Sequence, residues 1–467
     1  MYEQPRWPRE ALIPILGGLV WLWCAASFGL VGFVFSLVPG TLLLASGTSL
    51  LLWPRDDRIT HFAALGGFLG VPLALPVFFV SGFWLGALLV AFSAASFLAS
   101  GIAAIRQEPH VAGVPVPSLD ARTAAQVAVD ELLLSTMVLT RDSPWGRDRE
   151  RILREAEEAR EQFATQGWLD KPAGYHRQPP ALDAVRAKPG RTIGIDFEEW
   201  RFESGFEPAE GEPCRERWLS YGANRTGYAR VLRAAGGESR PWLVCIHGYQ
   251  MGWPLTDVGA FQRVWKRYDL NVLMPVLPLH GPRKMGRRSG DGFLDGDVMN
   301  SVHAEAQAMW DMRRLLSYLR GPLGVEKVGV FGLSLGGYNT ALLASLDGDL
   351  ACAIPGIPAV DFSRLMWRHG APLELLSVEH SGMEQTIADD VLKVVSPLAL
   401  EPRVPKEHRA IFAGTADRLV PPDQVADLWR HWDEPRIHWY QGAHMTFGLD
   451  PKVQALIRET LAGAGLL

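Results

Sequence analysis

Charged residues are missing from most of the first hundred positions. From Ala11 to Trp53 there is none in 43 positions, and from Phe62 to Ile105 none in 44. A helix needs about 20 apolar residues to cross a bilayer, so each run has the length of a helical hairpin. Pro, Gly and Ser in Ser36-Leu37-Val38-Pro39-Gly40 and in Ser81-Gly82 mark the turns. Four spans are predicted, at about 11–33, 36–53, 61–80 and 84–105. Neither run has a polar face, which argues against soluble core helices. A cleaved signal peptide would be far shorter. Arg6 and Arg9 precede the first hairpin, Arg55 and Arg58 separate the two, and Arg106 follows the second. With four spans, all five arginines fall on one side, the cytoplasmic one by the positive-inside rule, and the carboxyl-terminal portion follows them there. The four spans hold no Asp, Glu, Lys or Arg, so an ion pathway is not expected and anchorage is.

The pattern then changes twice. Residues 106–190 read as a helical connector or cap. Ser118 to Leu139 carries an apolar series on one face, and Arg147 to Gln166 places Ile152, Ala156, Ala159 and Phe163 at helical spacing before Gly167 closes it. The ordinary meaning of such a charged pair of helices is a solvated join between domains, and a membrane-surface collar is the alternative. Gly174 to Pro180 and Ala187-Lys188-Pro189-Gly190 look like boundaries. Beyond them short apolar strands alternate with helices. Strands are predicted at about 194–203, 226–234, 242–247, 270–276, 327–331, 351–356, 409–414 and 435–440. His303 to Leu319 is one of the intervening helices. This alternation implies an α/β fold, a doubly wound, mostly parallel sheet over 191–467 preceded by an all-α transmembrane region over 1–105. A lid-like apolar insertion at about 358–405, with Phe362, Leu365, Met366, Trp367, Leu373, Leu375 and Leu376, interrupts the alternation.

Composition narrows the function. A net charge of -5 and a pI near 6.2 give no reason to expect nucleic acid as a partner. Cys24, Cys214, Cys245 and Cys352 are scattered, with no C-x-x-C pair and no clustered His, so no metal or other cofactor is called for.

The candidate chemistry lies where an apolar run, Val328 to Leu333, ends in Gly332-Leu333-Ser334-Leu335-Gly336. A serine held between a strand and a helix sits on a turn too tight for flanking side chains, and its hydroxyl emerges at the carboxyl edge of the sheet. Three further motifs follow strands: Ile246-His247-Gly248-Tyr249, Gly414-Thr415-Ala416-Asp417-Arg418-Leu419-Val420-Pro421-Pro422, and Gly442-Ala443-His444. With these four in this order, the chain resembles the α/β-hydrolase superfamily of serine esterases and lipases over roughly residues 190–467. Pro278-Leu279-His280-Gly281-Pro282-Arg283-Lys284 is similar to membrane- or lipid-linked members of it.

The resemblance implies a Ser334–His444–Asp417 triad, and each role has a chemical reason. Ser334 needs a base to become nucleophilic. His444, just past the last strand, is the imidazole able to take and return that proton. His438 lies within a strand, and His247 belongs to the oxyanion loop. Asp417 would hold the ring in one tautomer; Asp423 and Asp427 are rivals that fall in the helix opened by Pro421-Pro422. Oxyanion donors are expected from the backbone of Leu335 and of Tyr249, with Gln250 as the alternative to Tyr249. Arg283 and Lys284, with Arg287 and Arg288, form a basic loop that is either solvated or receives an anionic part of the substrate. The expected activity is hydrolysis of a small-molecule or lipid ester by a protein anchored in the bilayer. Amide cleavage, acyl transfer and a non-catalytic membrane scaffold are the alternatives.

Overall fold

The computed structural model of the chain describes residues 9–27, 29–53, 59–140, 146–370 and 372–467. Two compact units are present. One comprises Met1–Thr140, Gly414–Pro422 and Trp439–Asp450, and the other Arg141–Ala413, Asp423–His438 and Pro451–Leu467.

The first unit contains α1 (Leu12–Ser27), α2 (Gly29–Leu52), α3 (Ile59–Ser81), α4 (Phe83–Gln107) and α5 (Ala121–Thr140). Among the described residues five stretches are long and apolar enough to cross a membrane: Arg9–Ser27, Gly32–Leu52, Ile59–Phe79, Phe83–Gln107 and Ala121–Thr140. Two points differ from expectation. The first hairpin turns by Gly29, whose φ of 60° lies in the left-handed region that glycine tolerates. Pro39, expected at the turn, lies inside α2, as proline can in apolar helices that pack together. The fifth long apolar helix, α5, falls where a solvated connector was expected. Arg6, Arg55 and Arg58, used to orient the spans, lie outside the described residues.

Trp21, Cys24, Leu43, Ala74, Val77 and Leu89 form the interior of this helical unit, and Trp21 Nε1 donates to Ser93 Oγ at 3.0 Å. Gly18 lies against the Leu44 backbone and Gly67 against the Phe97 amide, approaches that a side chain would prevent. Leu30, Phe79, Phe83 and Trp84 face outward and are exposed, the arrangement expected where lipid is the solvent.

The second unit is built on a nine-stranded sheet: β1 (Arg186–Thr192), β2 (Ile195–Glu203), β3 (Thr226–Leu232), β4 (Trp242–Ile246), β5 (Asn271–Val276), β6 (Val328–Leu333), β7 (Ala353–Gly356), β8 (Ala410–Gly414) and β9 (Arg436–Tyr440). Its order is β1-β2-β3-β5-β4-β6-β7-β8-β9. The pairs β1–β2, β2–β3 and β3–β5 are antiparallel, and β5–β4, β4–β6, β6–β7 and β7–β8 are parallel. The central strands β4, β5, β6 and β7 are buried along their whole length, the reason they read as unbroken apolar runs.

Helices fill the connections: α6 (Arg147–Thr165), α7 (Arg215–Ser220), α8 (Pro254–Tyr268), α9 (Val298–Arg320) and α10 (Leu335–Leu346) precede the insertion. The stretch between β7 and β8 holds α11 (Phe362–His369), α12 (Pro372–His380) and α13 (Gln385–Leu392), and α14 (Pro422–His431) and α15 (Pro451–Gly463) follow. The doubly wound, mostly parallel sheet, with a serine between β6 and α10, is the α/β-hydrolase fold.

Candidate active site

Ser334 links the end of β6 to the start of α10 with φ 58° and ψ −115°. A non-glycine residue in that region is strained, and the surrounding chain holds it there: Ser334 N–H donates to Gly356 O at 3.0 Å, and Tyr338 N–H donates to Ser334 O at 3.0 Å. A β-carbon on Gly332 would collide with Gly336 O, and one on Gly336 with Ile246 O, so both flanking glycines are required by close backbone approach. The Ser334 residue is half-buried. The N–H of Leu335, in the first turn of α10, has no intrahelical acceptor and lies at the positive end of the helix dipole.

The loop after β4 runs beside this elbow. A β-carbon on Gly248 would sit 3.4 Å from Leu333 O and 3.7 Å from Ser334 Cβ. His247 anchors the loop: Leu277 N–H donates to its Nε2 at 3.1 Å, so the ring proton is on Nδ1, which donates to Gly248 O at 2.8 Å. Burial pushes its imidazole down to about 4, so it is neutral at pH 7. His280 is pushed down to about 3, by burial first and then by His247. Neither is placed to serve as a base poised near neutrality. Gln250 adopts a φ of 63°, which bends the loop directly after Tyr249. The Tyr249 ring packs on His280 and Phe293, Phe293 packs on Phe362, and Phe362 stacks on Tyr338 at 3.9 Å. An aromatic wall thus leads from the oxyanion loop to the first helix of the insertion.

Arg283 departs from expectation. It is only 1% exposed, and its guanidinium donates to Val276 O at 2.9 Å, Asn224 O at 3.1 Å and Asp311 Oδ2 at 2.8 Å. Its charge is spent inside the fold, fastening the loop after β5 to α9, and not offered to a substrate. Lys284 Nζ donates to Arg287 O at 2.7 Å at the surface. Arg283→Met should therefore lower unfolding free energy by about 3–5 kcal/mol, because Asp311 would stay buried without its partner. Urea unfolding measures this. A stability unchanged from wild type, with KM raised for anionic esters only, would restore the binding role.

Asp417 and His444 meet. Asp417 lies three positions past β8 and His444 four past β9, both in the first compact unit. His444 Nδ1 and Asp417 Oδ2 are 2.7 Å apart and both residues are buried. Asp417 Oδ1 accepts the Val420 N–H at 2.9 Å, which fixes the carboxylate. Burial alone would lower the His444 imidazole, but the charge and hydrogen bond of Asp417, with the charge of Asp130, hold it above its ordinary value. The rival carboxylates are engaged elsewhere: Arg364 pairs with Asp427 at 2.7 Å and with Asp423 at 3.3 Å.

Sequence reasoning missed the residues behind this pair. Asp130 of α5 is fully buried, and its Oδ2 accepts the N–H of His444 at 2.9 Å and of Arg418 at 3.1 Å. Its neighbour Glu131 accepts Arg418 Nε at 2.7 Å and the Thr60 hydroxyl at 2.6 Å, and Arg418 also pairs with Glu108. The available signal was two adjacent carboxylates in an otherwise apolar helix. Among the described residues no cluster of His, Cys, Asp and Glu could hold a metal ion.

No family model matches the chain. The uncharacterized protein MT2702 of Mycobacterium tuberculosis is 42% identical over 368 residues, which cover 77% of this chain and 86% of that protein. The uncharacterized protein Rv2627c of the same organism is 41% identical over the same length and shares. Among solved structures, an acetyl xylan esterase from Paenibacillus sp. R4 aligns with a TM-score of 0.47 and 16% identity, over 63% of this chain and 93% of that one.

Proposed function

This chain belongs to the family of the Mycobacterium tuberculosis proteins MT2702 and Rv2627c, and we propose that it is a membrane-anchored serine hydrolase cleaving acyl esters. The observation that carries the reading is the buried Asp417–His444 pair, 2.7 Å between Nδ1 and Oδ2. A carboxylate on Nδ1 leaves Nε2 as the nitrogen for proton transfer. Ser334, strained on its elbow with a half-buried side chain, is the nucleophile.

In the proposed reaction Ser334 Oγ attacks the ester carbonyl carbon as its proton passes to His444 Nε2. The N–H groups of Leu335 and of Tyr249 or Gln250 receive the charge that develops on the carbonyl oxygen. Collapse breaks the bond to the alcohol, which takes the proton from His444 and leaves an acyl-Ser334. Water then attacks with His444 again as base, and the acid departs. The five long apolar helices support anchorage in a bilayer. An apolar pocket lined by Ile152, Val298, Met366, Trp367, Leu375 and Met383, partly from the insertion, supports an apolar acyl group.

Turnover of p-nitrophenyl esters of increasing chain length by the full-length protein tests this reading. The expected result is kcat/KM that rises from acetyl towards longer acyl chains. The base must be neutral to accept the Ser334 proton, and the His444 imidazole lies above its ordinary value. Activity should therefore fall as pH drops through an inflection above the usual imidazole value of about 6.5. Preference for acetyl would remove the bilayer-borne substrate, and an acid inflection below that value would remove His444 as the base.

A further inference from the structure

Asp130 is an ionisable residue in a helix otherwise apolar enough to cross a membrane, and its carboxylate does not serve that helix. Its Oδ2 accepts two backbone N–H groups separated by 26 positions of sequence, those of Arg418 at 3.1 Å and His444 at 2.9 Å. One follows Asp417 directly and the other belongs to His444 itself. A single oxygen thus spans the bases of both loops that carry the acid and the imidazole. The residues preceding each, Ala416 and Ala443, are buried with Ala104 and Ile105 of α4 and Val127 of α5. Further out, Gln441 ties the same loops to the segment before α5: its Oε1 accepts Ser118 N–H at 2.9 Å and the Thr415 hydroxyl at 3.2 Å, and its Nε2 donates to Val116 O at 3.3 Å. α4, expected only to anchor the protein, and α5, expected to belong to a connector, therefore support the Asp417–His444 pair from behind.

We propose that Asp130 is a positioning residue for the hydrolytic reaction, its carboxylate clamping the Arg418 and His444 backbone so that the Asp417–His444 pair keeps one geometry. The inference rests on the reading of His444 as general base. The groups that face Asp130 are Asp417 and Arg418 from the acid loop, His444 from the last loop, and Glu131 beside it on α5. Arg418 is shared with Glu131 and Glu108, and Glu131 in turn meets Thr60 and His61 of α3. Asp130 therefore acts on His444 through the backbone clamp. A displacement of about 1 Å in a catalytic group can cost about 10²-fold in rate, the size of effect expected when the clamp is lost.

Two variants of the full-length protein test the clamp, with ester kcat and KM as readouts. Asp130→Ala removes the clamp, and kcat should fall by about 10²-fold with KM unchanged. Asp130→Asn keeps an oxygen that can accept both N–H groups. It should restore kcat to within about tenfold of wild type. Rescue by the near-isosteric variant, with the loss confined to kcat, separates positioning from a merely structural role. Wild-type kcat in Asp130→Ala, or a loss of about a hundredfold in kcat in a folded Asp130→Asn, would overturn the inference. Ser334→Ala measured alongside keeps the underlying reading separate: activity surviving there sinks the triad, whereas its loss with unchanged Asp130 variants sinks only the clamp.

Discussion

Asp417→Asn is expected to lower kcat for ester hydrolysis by about 10⁴-fold while the protein stays folded. Asp417 accepts the His444 Nδ1 proton through Oδ2 and the Val420 N–H through Oδ1. Asparagine has nearly the same shape but only one accepting oxygen. If that oxygen keeps Val420, the amide nitrogen faces His444 and drives the proton to Nε2, the atom that must accept from Ser334. If it keeps His444, the carboxylate charge that stabilises the imidazolium is still gone. Either way the barrier rises where charge develops, so the loss should appear in kcat more than in KM. The same change at Asp423 or Asp427, both held by Arg364 at the surface of α14, should leave kcat near wild type. Steady-state kinetics on the three variants checks this. Activity within tenfold of wild type in Asp417→Asn would remove Asp417 from the mechanism.

Ser334→Ala should cost more, about 10⁶-fold in kcat, because no other hydroxyl is presented on the elbow to form the acyl-enzyme. His444→Ala should cost about as much, since the serine is inert without its base. Residues that act as one unit are not additive. The double variant should therefore be no slower than either single one, whereas two independent contributions would multiply. What survives in all three should be the slow hydrolysis promoted by the oxyanion donors and substrate binding alone.

Much of this arrangement is legible in the sequence because local chemistry forces it. The strands predicted from 194 to 440 correspond to β2 through β9; β4 to β8 are buried along their length and read as apolar runs, while β2 shows the alternation of a half-buried strand. Tight backbone packing around Ser334 demands the glycines that announce it. β1 escaped notice because Arg186 to Thr192 is mostly exposed and contains Pro189, which an edge strand tolerates. Its register is set by β2, through pairs such as Lys188 with Glu199, and that information is not local. Pro39 misled for the opposite reason: a signal that breaks helices in water is tolerated in an apolar bundle. Arg283 read as a surface cation because its partner Asp311 lies 28 positions away on α9. What Asp130 and Glu131 bind was unreadable in the same sense. Their partners Arg418 and His444 come about 300 residues later, and no periodicity in α5 points to them.

The most direct measurement is the site of covalent modification by a fluorophosphonate, located by peptide mass spectrometry on the full-length protein. The triad predicts one phosphonyl group on Ser334, pH-dependent labelling that fades as His444 is protonated, and none in Ser334→Ala. An unmodified wild type, or an adduct of equal yield that persists in Ser334→Ala, would contradict it.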